Sequence, residues 1–319
     1  MSYKLYVKQY GKIEEAEIEL LPLTLFVGDN NSGKSYLLSL IWAFSNDEQK
    51  SVIFRQFKYV IRNQFEELYN GILSLINSGD LDESVVIMEQ EIFTLLNTML
   101  ELNKDNLVNN IFNRESMSVG EIKVVSDTNR VIRFTKANGD ANRLIINVEI
   151  DEKMVFSVEF AKVNDVYEVV TMDLLRFMAE YFLSMEVIRK ESCYLPAART
   201  GFMLAKIIIN RVGRKTAFDF IISDDEEDIV SDSPFPKTIL HFLECIENLD
   251  MQKETKKYFD LVEWISNNMS KGQIKCIDTV NNNVQYVPDG MEQGIPLRAS
   301  SAVVTELTPL ILLLKHSKT

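Results

Sequence analysis

The residues best suited to chemistry are eight in a row, Gly28-Asp29-Asn30-Asn31-Ser32-Gly33-Lys34-Ser35. They spell G-x-x-x-x-G-K-[ST]. In a chain of this length the pattern arises by chance roughly once in a hundred sequences at average residue usage. Gly28 and Gly33 let the backbone turn tightly and approach a ligand. Amides from about Asn30 to Ser35, with Asn31 and Ser32 between, point into one concavity and donate to phosphate oxygens. The helix that starts there adds its positive dipole end. Lys34 would set its ammonium between a β- and a γ-phosphate, and the Ser35 hydroxyl would ligate Mg²⁺. The expected ligand is ATP with Mg²⁺. The plainer alternative is a glycine turn that caps a helix and holds nothing.

The flanking elements decide between the two. Tyr3, Leu5 and Val7, then Ile13, Ala16, Ile18 and Leu20, alternate with polar residues around Gly11-Lys12, which reads as a two-stranded hairpin. After Pro22, the run Leu23-Thr24-Leu25-Phe26-Val27 reads as a buried parallel strand. Tyr36 to Phe44 is apolar nearly all round and reads as a buried helix. Strand, loop and helix in that order favour the phosphate loop.

The expected fold class is α/β with large insertions. Phe54, Phe57, Ile61, Phe65, Leu68, Ile72 and Leu75 share one helix face. A turn at 77–80 leads to a second face with Val85, Met88, Ile92, Leu95, Met99 and Leu102. Residues 47–115 thus read as a helical hairpin. Over 116–170 the period is two, with Asn138-Gly139-Asp140 as a hairpin turn, which suggests an inserted antiparallel meander. A helix at about 171–190 and a strand stopped by Pro196 would return the chain over 171–201 to the lobe begun by residues 1–46. The remainder, 202–319, reads as a mainly helical lobe: helices at 202–210, 236–249, 252–269 and 301–315, strands near 274–280 and 284–287. It includes a basic cluster, Arg211, Arg214 and Lys215, and an acidic stretch at 223–232 expected to be a solvated loop.

Composition excludes several classes. Forty-seven acidic residues against 34 basic ones give a charge of −13, which repels phosphate backbones on average. Cys193, Cys245 and Cys276 are far apart, so neither a disulfide framework nor a zinc ribbon is expected. A reducing compartment follows. His241 and His316 are the only histidines, too few for a His-rich metal site. No apolar run nears the ~18 residues of a spanning helix, and the N-terminus lacks a signal-peptide pattern. The expectation is a soluble cytoplasmic protein that does not enter a membrane.

Leu23 to Ser35 resembles the N-terminus of ABC-type ATPases of the SMC, RecF and OLD (overcoming-lysogenization-defect) group, which often read L-T-x-x-x-G-x-N-N-S-G-K-S. Tyr194-Leu195-Pro196-Ala197-Ala198-Arg199-Thr200-Gly201 resembles a Y-L-P-A-x-R-[ST]-G segment of bacterial AAA-type relatives of OLD. It falls where ABC ATPases carry a glutamine-bearing loop, and no glutamine stands here. Arg199 is a candidate phosphate or partner contact, or a structural ion pair. Arg298 to Leu307 resembles the group's degenerate signature motif, with Ser300 and Ser301 facing the γ-phosphate of an opposing subunit. Ala302 replaces the usual glycine, and the alternative is that Ser300 caps the helix. In that group the hairpin lies beside the adenine, so Lys12 is a base-side candidate or a solvated turn residue.

The resemblance therefore implies an ABC-type P-loop NTPase domain that binds ATP and Mg²⁺ and forms a homodimer on ATP. DNA or an anti-phage defence effector are the implied partners. It also implies an apolar strand ending in paired acids after the signature helix, and Thr319 falls before any such strand. Asp224 and Asp278 close earlier apolar runs, in the wrong order for the group. Two other readings stay open. One is a non-hydrolysing nucleotide switch that acts through partner binding. The other is a small-molecule phosphotransferase with Arg211, Arg214 and Lys215 as its lid.

Overall fold

A computed structural model describes residues 3–21, 23–78, 82–137, 143–161, 167–184, 192–205, 234–278 and 283–316. They fall into two compact units, Met1–Ser192 and Cys193–Thr319. Every strand pairing among the described residues is antiparallel.

In the first unit, β1 (Tyr3–Tyr10) and β2 (Ile13–Glu19) form the expected hairpin. Alternation turns Tyr3, Leu5 and Val7 inward. Gln9 then takes a left-handed φ of 51° and drops out of the pairing, so that Tyr10 is the next residue to face inward. The register runs on unchanged to Tyr10 in both pairings, so the break in alternation comes from the local backbone turn at Gln9 and not from an inserted residue.

The second neighbour of β1 is β4 (Val119–Ser126), giving the order β2-β1-β4. The inserted meander expected from 116 onward is thus corrected: its first strand belongs to the hairpin sheet. The remaining strands, β5 (Val131–Ala137), β6 (Arg143–Ile150) and β7 (Lys153–Ala161), form a second sheet with β3 (Ser84–Met88), in the order β3-β5-β6-β7.

The helical hairpin is corrected as well. Val85 and Met88 lie in β3, where a β-branched run suits a pleated surface. The earlier apolar face is split among α2 (Asp47–Ile53), α3 (Phe57–Gln64) and α4 (Glu66–Asn77), with a break at Gln56, whose φ is 63°. Helix α5 (Glu89–Phe112) follows β3 directly, and the Glu91 carboxylate accepts the Met88 amide at 3.0 Å. Asn97 of α5 bonds both the amide and the carbonyl of Val124, at 2.9 and 3.0 Å, and so ties the helix to β4. Helix α6 (Tyr167–Leu183) completes the described part of this unit.

One buried ion pair joins these pieces. Glu89 is fully buried, and Arg130 is 7% exposed. The Arg130 Nη2 and Nε donate to Glu89 Oε1 at 2.7 and 3.0 Å. Tyr3 Oη donates to the same oxygen at 2.7 Å. Thr128 Oγ1 and the Arg130 amide donate to Oε2 at 3.0 and 3.2 Å. The guanidinium also lies over the rings of Tyr3 and of Phe182 in α6. Each carboxylate oxygen is satisfied, which is the condition under which a buried charge is tolerated.

Residues 23–27 depart most from expectation. They form no strand, and Leu23, Leu25 and Val27 are 77%, 76% and 89% exposed. The reason is that a strand exists only through its ladder, and no described segment pairs with this one.

In the second unit, α7 (Lys237–Glu247), α8 (Phe259–Ile265) with a π turn at Ser266–Ser270, and α9 (Ala302–His316) accompany a small sheet. Its order is β10-β9-β8, from β8 (Gly272–Asp278), β9 (Asn283–Pro288) and β10 (Ile295–Pro296). Val262, Ile265, Ile274, Val284, Tyr286, Val304, Leu307 and Ile311 share its core.

The expected strand before Pro196 is irregular backbone, with no ladder partner among the described residues. The helix expected from 252 begins at Phe259. Residues before it are held instead by α9: the Thr255 amide donates to Lys315 O at 2.7 Å, and His316 Nδ1 lies 2.9 Å from Lys253 O. Among the described residues no helix is long and apolar enough to cross a membrane. The Asn138–Asp140 turn, the 211–215 basic cluster, the acidic stretch and Asp224 lie outside the described residues.

Replacing Glu89 by Gln removes the carboxylate charge that faces a buried guanidinium. Unfolding free energy from urea titration should fall by about 3 kcal/mol; a loss under about 0.5 kcal/mol would show that the pair is dispensable.

Candidate functional site

Helix α1 (Lys34–Ser45) begins inside the glycine-rich motif. Gly33 is its N-cap at φ 100°, ψ 2°, and no side chain caps it. The first turn closes where the Leu37 amide donates to Gly33 O at 3.2 Å. The amides of Gly33, Lys34, Ser35 and Tyr36 come before that bond, so the helix offers them no acceptor. None of the four donates to another described residue. The loop spends one other amide on its own shape, Ser32 N–H to Asp29 O at 3.3 Å, and Asn31 supports the bend at φ 63°.

Lys34 folds back over this loop. Its Nζ donates to Gly28 O at 2.9 Å, Asp29 O at 2.6 Å and Ser32 Oγ at 3.2 Å. An ammonium thus stands beside open amides at the positive end of a helix dipole. No acidic residue occupies the first turn of α1, and the Ser35 side chain is exposed at its second position. The donor set fits a phosphate chain: several N–H groups, one fixed cation, no competing carboxylate in that turn, and a hydroxyl free for Mg²⁺. Gly28, Asn30, Asn31, Ser32, Gly33, Lys34 and Ser35 all lie on this short path, since consecutive residues have nowhere else to go.

The hairpin presses on the loop from the side. A Cβ on Gly33 would lie 2.7 Å from Ile13 Cγ1 of β2. A Cβ on Gly11 would lie 3.1 Å from the Tyr36 ring. That ring packs edge-on against Tyr10 of β1, centroids 5.5 Å apart, and tilted against Phe112 of α5, at 4.7 Å. Tyr10 is fully buried, its hydroxyl has no hydrogen-bond partner among the described residues, and burial pushes its pKa above the ordinary tyrosine range. Beyond Tyr36, α1 buries Leu37, Leu40, Trp42, Ala43 and Phe44, as its apolar surface requires. Reading along the chain missed Ile13, Tyr36 and Phe112. The one available signal was the aromatic residue directly after Ser35.

The remaining candidates belong to the second unit, except Lys12, which is exposed in the hairpin turn. Ser301, rather than Ser300, caps α9: its Oγ accepts the Val304 amide at 3.4 Å, while Ser300 Oγ donates to Pro296 O at 3.3 Å. Arg199 is engaged within its own unit. Its Nε donates to Glu306 O at 2.8 Å and pairs with Glu306 Oε2 at 2.9 Å. Thr200 Oγ1 donates to the other carboxylate oxygen at 2.6 Å. Asp278 ends β8, an edge strand paired antiparallel to β9. No group of three metal-ligating side chains occurs among the described residues.

A family model described as AAA ATPase domain matches residues 1–316. No curated protein and no solved structure matches the chain.

Gly33→Ala should be doubly unfavourable, through a left-handed φ and through the approach of Ile13. A loss of about 2 kcal/mol in stability is expected, with nucleotide binding weakened in step. Thermal melting and nucleotide titration check both, and an unperturbed variant would contradict the loop geometry.

Proposed function

The chain belongs to the AAA ATPase domain family, and from that premise we propose that it binds MgATP on the loop Gly28–Ser35. Membership of the family implies nucleotide binding. The observation that carries the placement is the set of open amides at the start of α1 beneath a lysine held by Gly28 O and Asp29 O.

The amides of Gly33 to Tyr36 would donate to phosphate oxygens. Lys34 would add charge without a large movement, because its ammonium already stands at the loop. Hydrogen bonds to charged groups contribute about 1.5–3 kcal/mol each, so a few suffice for micromolar affinity. Ser35 would supply one ligand to Mg²⁺, which neutralises phosphate charge and polarises the γ-phosphoryl group when bound. No general base is assigned.

The finer reading is an ABC-type domain of the SMC, RecF and OLD-like group. Its support is the motif from Leu23 to Ser35, together with the exposed start of α9. There Ser300 and Ser301 stand before the amides of Ala302 and Val303, which precede the first helical turn. We propose that ATP draws two copies together, with this helix start facing the γ-phosphate held by the other copy. Roles in DNA maintenance or anti-phage defence, in the cytoplasm, rest on the resemblance alone.

Two variants test these proposals. Lys34→Ala should weaken MgATP binding at least 100-fold in calorimetric titration, about 2.7 kcal/mol; micromolar affinity in the variant would count against the loop. Ser301→Arg places a bulky cation at the α9 start and should abolish ATP-dependent dimerisation on sizing chromatography. An ATP-dependent dimer that persists would remove the signature role.

A further inference from the structure

Among the described residues no strand pairs with the loop's approach, residues 23–27, and Leu23, Leu25 and Val27 stand in solvent. The described contacts that hold the loop come from the hairpin and from α1. Tyr36 is the third residue of α1, on the turn whose amides are open. Side chains radiate from a helix at about 100° per residue, so locking one ring fixes the rotation of the whole first turn and the aim of its amides.

That ring packs against Tyr10 and Phe112, and lies close enough to Gly11 that a Cβ there would stand 3.1 Å from it. Phe112 is itself the last residue of α5. The final turn of that helix is anchored by buried Gln49, whose Nε2 donates to Asn110 Oδ1 at 2.7 Å. The far end of α5 holds Glu89 of the buried ion pair. A 24-residue helix spans about 36 Å. The loop thus rests on a rigid rod pinned at both ends.

We infer that the Tyr10–Tyr36–Phe112 stack sets the orientation of the phosphate loop, and that Phe112 is a positioning residue for the bound phosphates though it touches none of them. The inference rests on the phosphate-loop reading above. It differs from a base contact, in which an aromatic side chain would grip the nucleobase. Orientation of amides acts on phosphates whatever they carry. Misplacement by about 1 Å costs on the order of 100-fold where geometry is critical, so partial loosening should cost about tenfold.

The experiment compares MgATP and inorganic tripolyphosphate binding to wild type, Phe112→Leu and Phe112→Tyr, with urea unfolding run in parallel. Phe112→Leu should weaken both ligands about tenfold and by the same factor, while remaining folded. Phe112→Tyr keeps the ring and should keep both affinities. Unchanged binding by Phe112→Leu overturns the proposal, as does weakening confined to MgATP, or a Phe112→Tyr as weak as Phe112→Leu. Should Phe112→Leu fail to fold, Phe112→Met, of similar volume without the ring, is judged by the same criteria. Wild type that binds neither ligand would sink the phosphate-loop reading itself, and this inference with it. Wild type that binds both leaves the positioning role to stand or fall on Phe112.

Discussion

Four main-chain amides at the start of α1, left without acceptors among the described residues, are the constraint around which the first unit is arranged. Helix geometry creates such donors at every N-terminus. Most helices quench one or two with a polar side chain, as Asn46 does here for the Gln49 amide of α2, Asn129 for the Gln90 amide of α5 and Ser301 for the Val304 amide of α9. α1 begins instead after Gly33, which has no side chain to give. A Gly cap costs only a few tenths of a kcal/mol relative to the best capping residues. For that small loss the donors stay available to a ligand, and Lys34 brings the matching charge.

Leaving the donors open also leaves the first turn without a local clasp, so other groups must hold it. Ile13 sits where Gly33 would carry a Cβ, and Tyr36 is wedged between β1 and α5. The hairpin is held in turn by β4 and by the Tyr3 hydroxyl on Glu89. One chain of contacts thus runs from a buried carboxylate, along β1 and α5, to the mouth of the loop. The Glu89–Arg130 pair is better understood as part of this scaffold than as chemistry, since both of its oxygens are consumed by neighbours.

The same contrast explains Arg199. A guanidinium in a motif-like segment invites a phosphate-binding role, yet this one braces the turn before residues 199–205 against α9 through Glu306. Helix α9 then presents Ser300 and Ser301 at an end whose far side is fastened by Thr255 and Lys253. The shape of the helix start is therefore supported within its own unit.

Elements defined by consecutive residues were legible from the chain alone: the hairpin around Gly11, the eight-residue motif, the apolar helix after it and the final helix. Backbone preferences, side-chain periodicity and glycine conformation act over a few residues, so their spacing already contains the answer. Tertiary structure decided what depends on distant partners. Val85 and Met88 carry helical spacing but join a ladder with β5; β4 pairs with β1 across more than a hundred residues; Leu23 to Val27 reads as a buried strand and has no partner among the described residues. Phe112 meets Tyr36 only because α5 ends there. A strand or an aromatic contact is a relation between segments, and no local pattern names the other segment. Sequence alone named the groups proposed to meet a phosphate; packing determined what holds them in place.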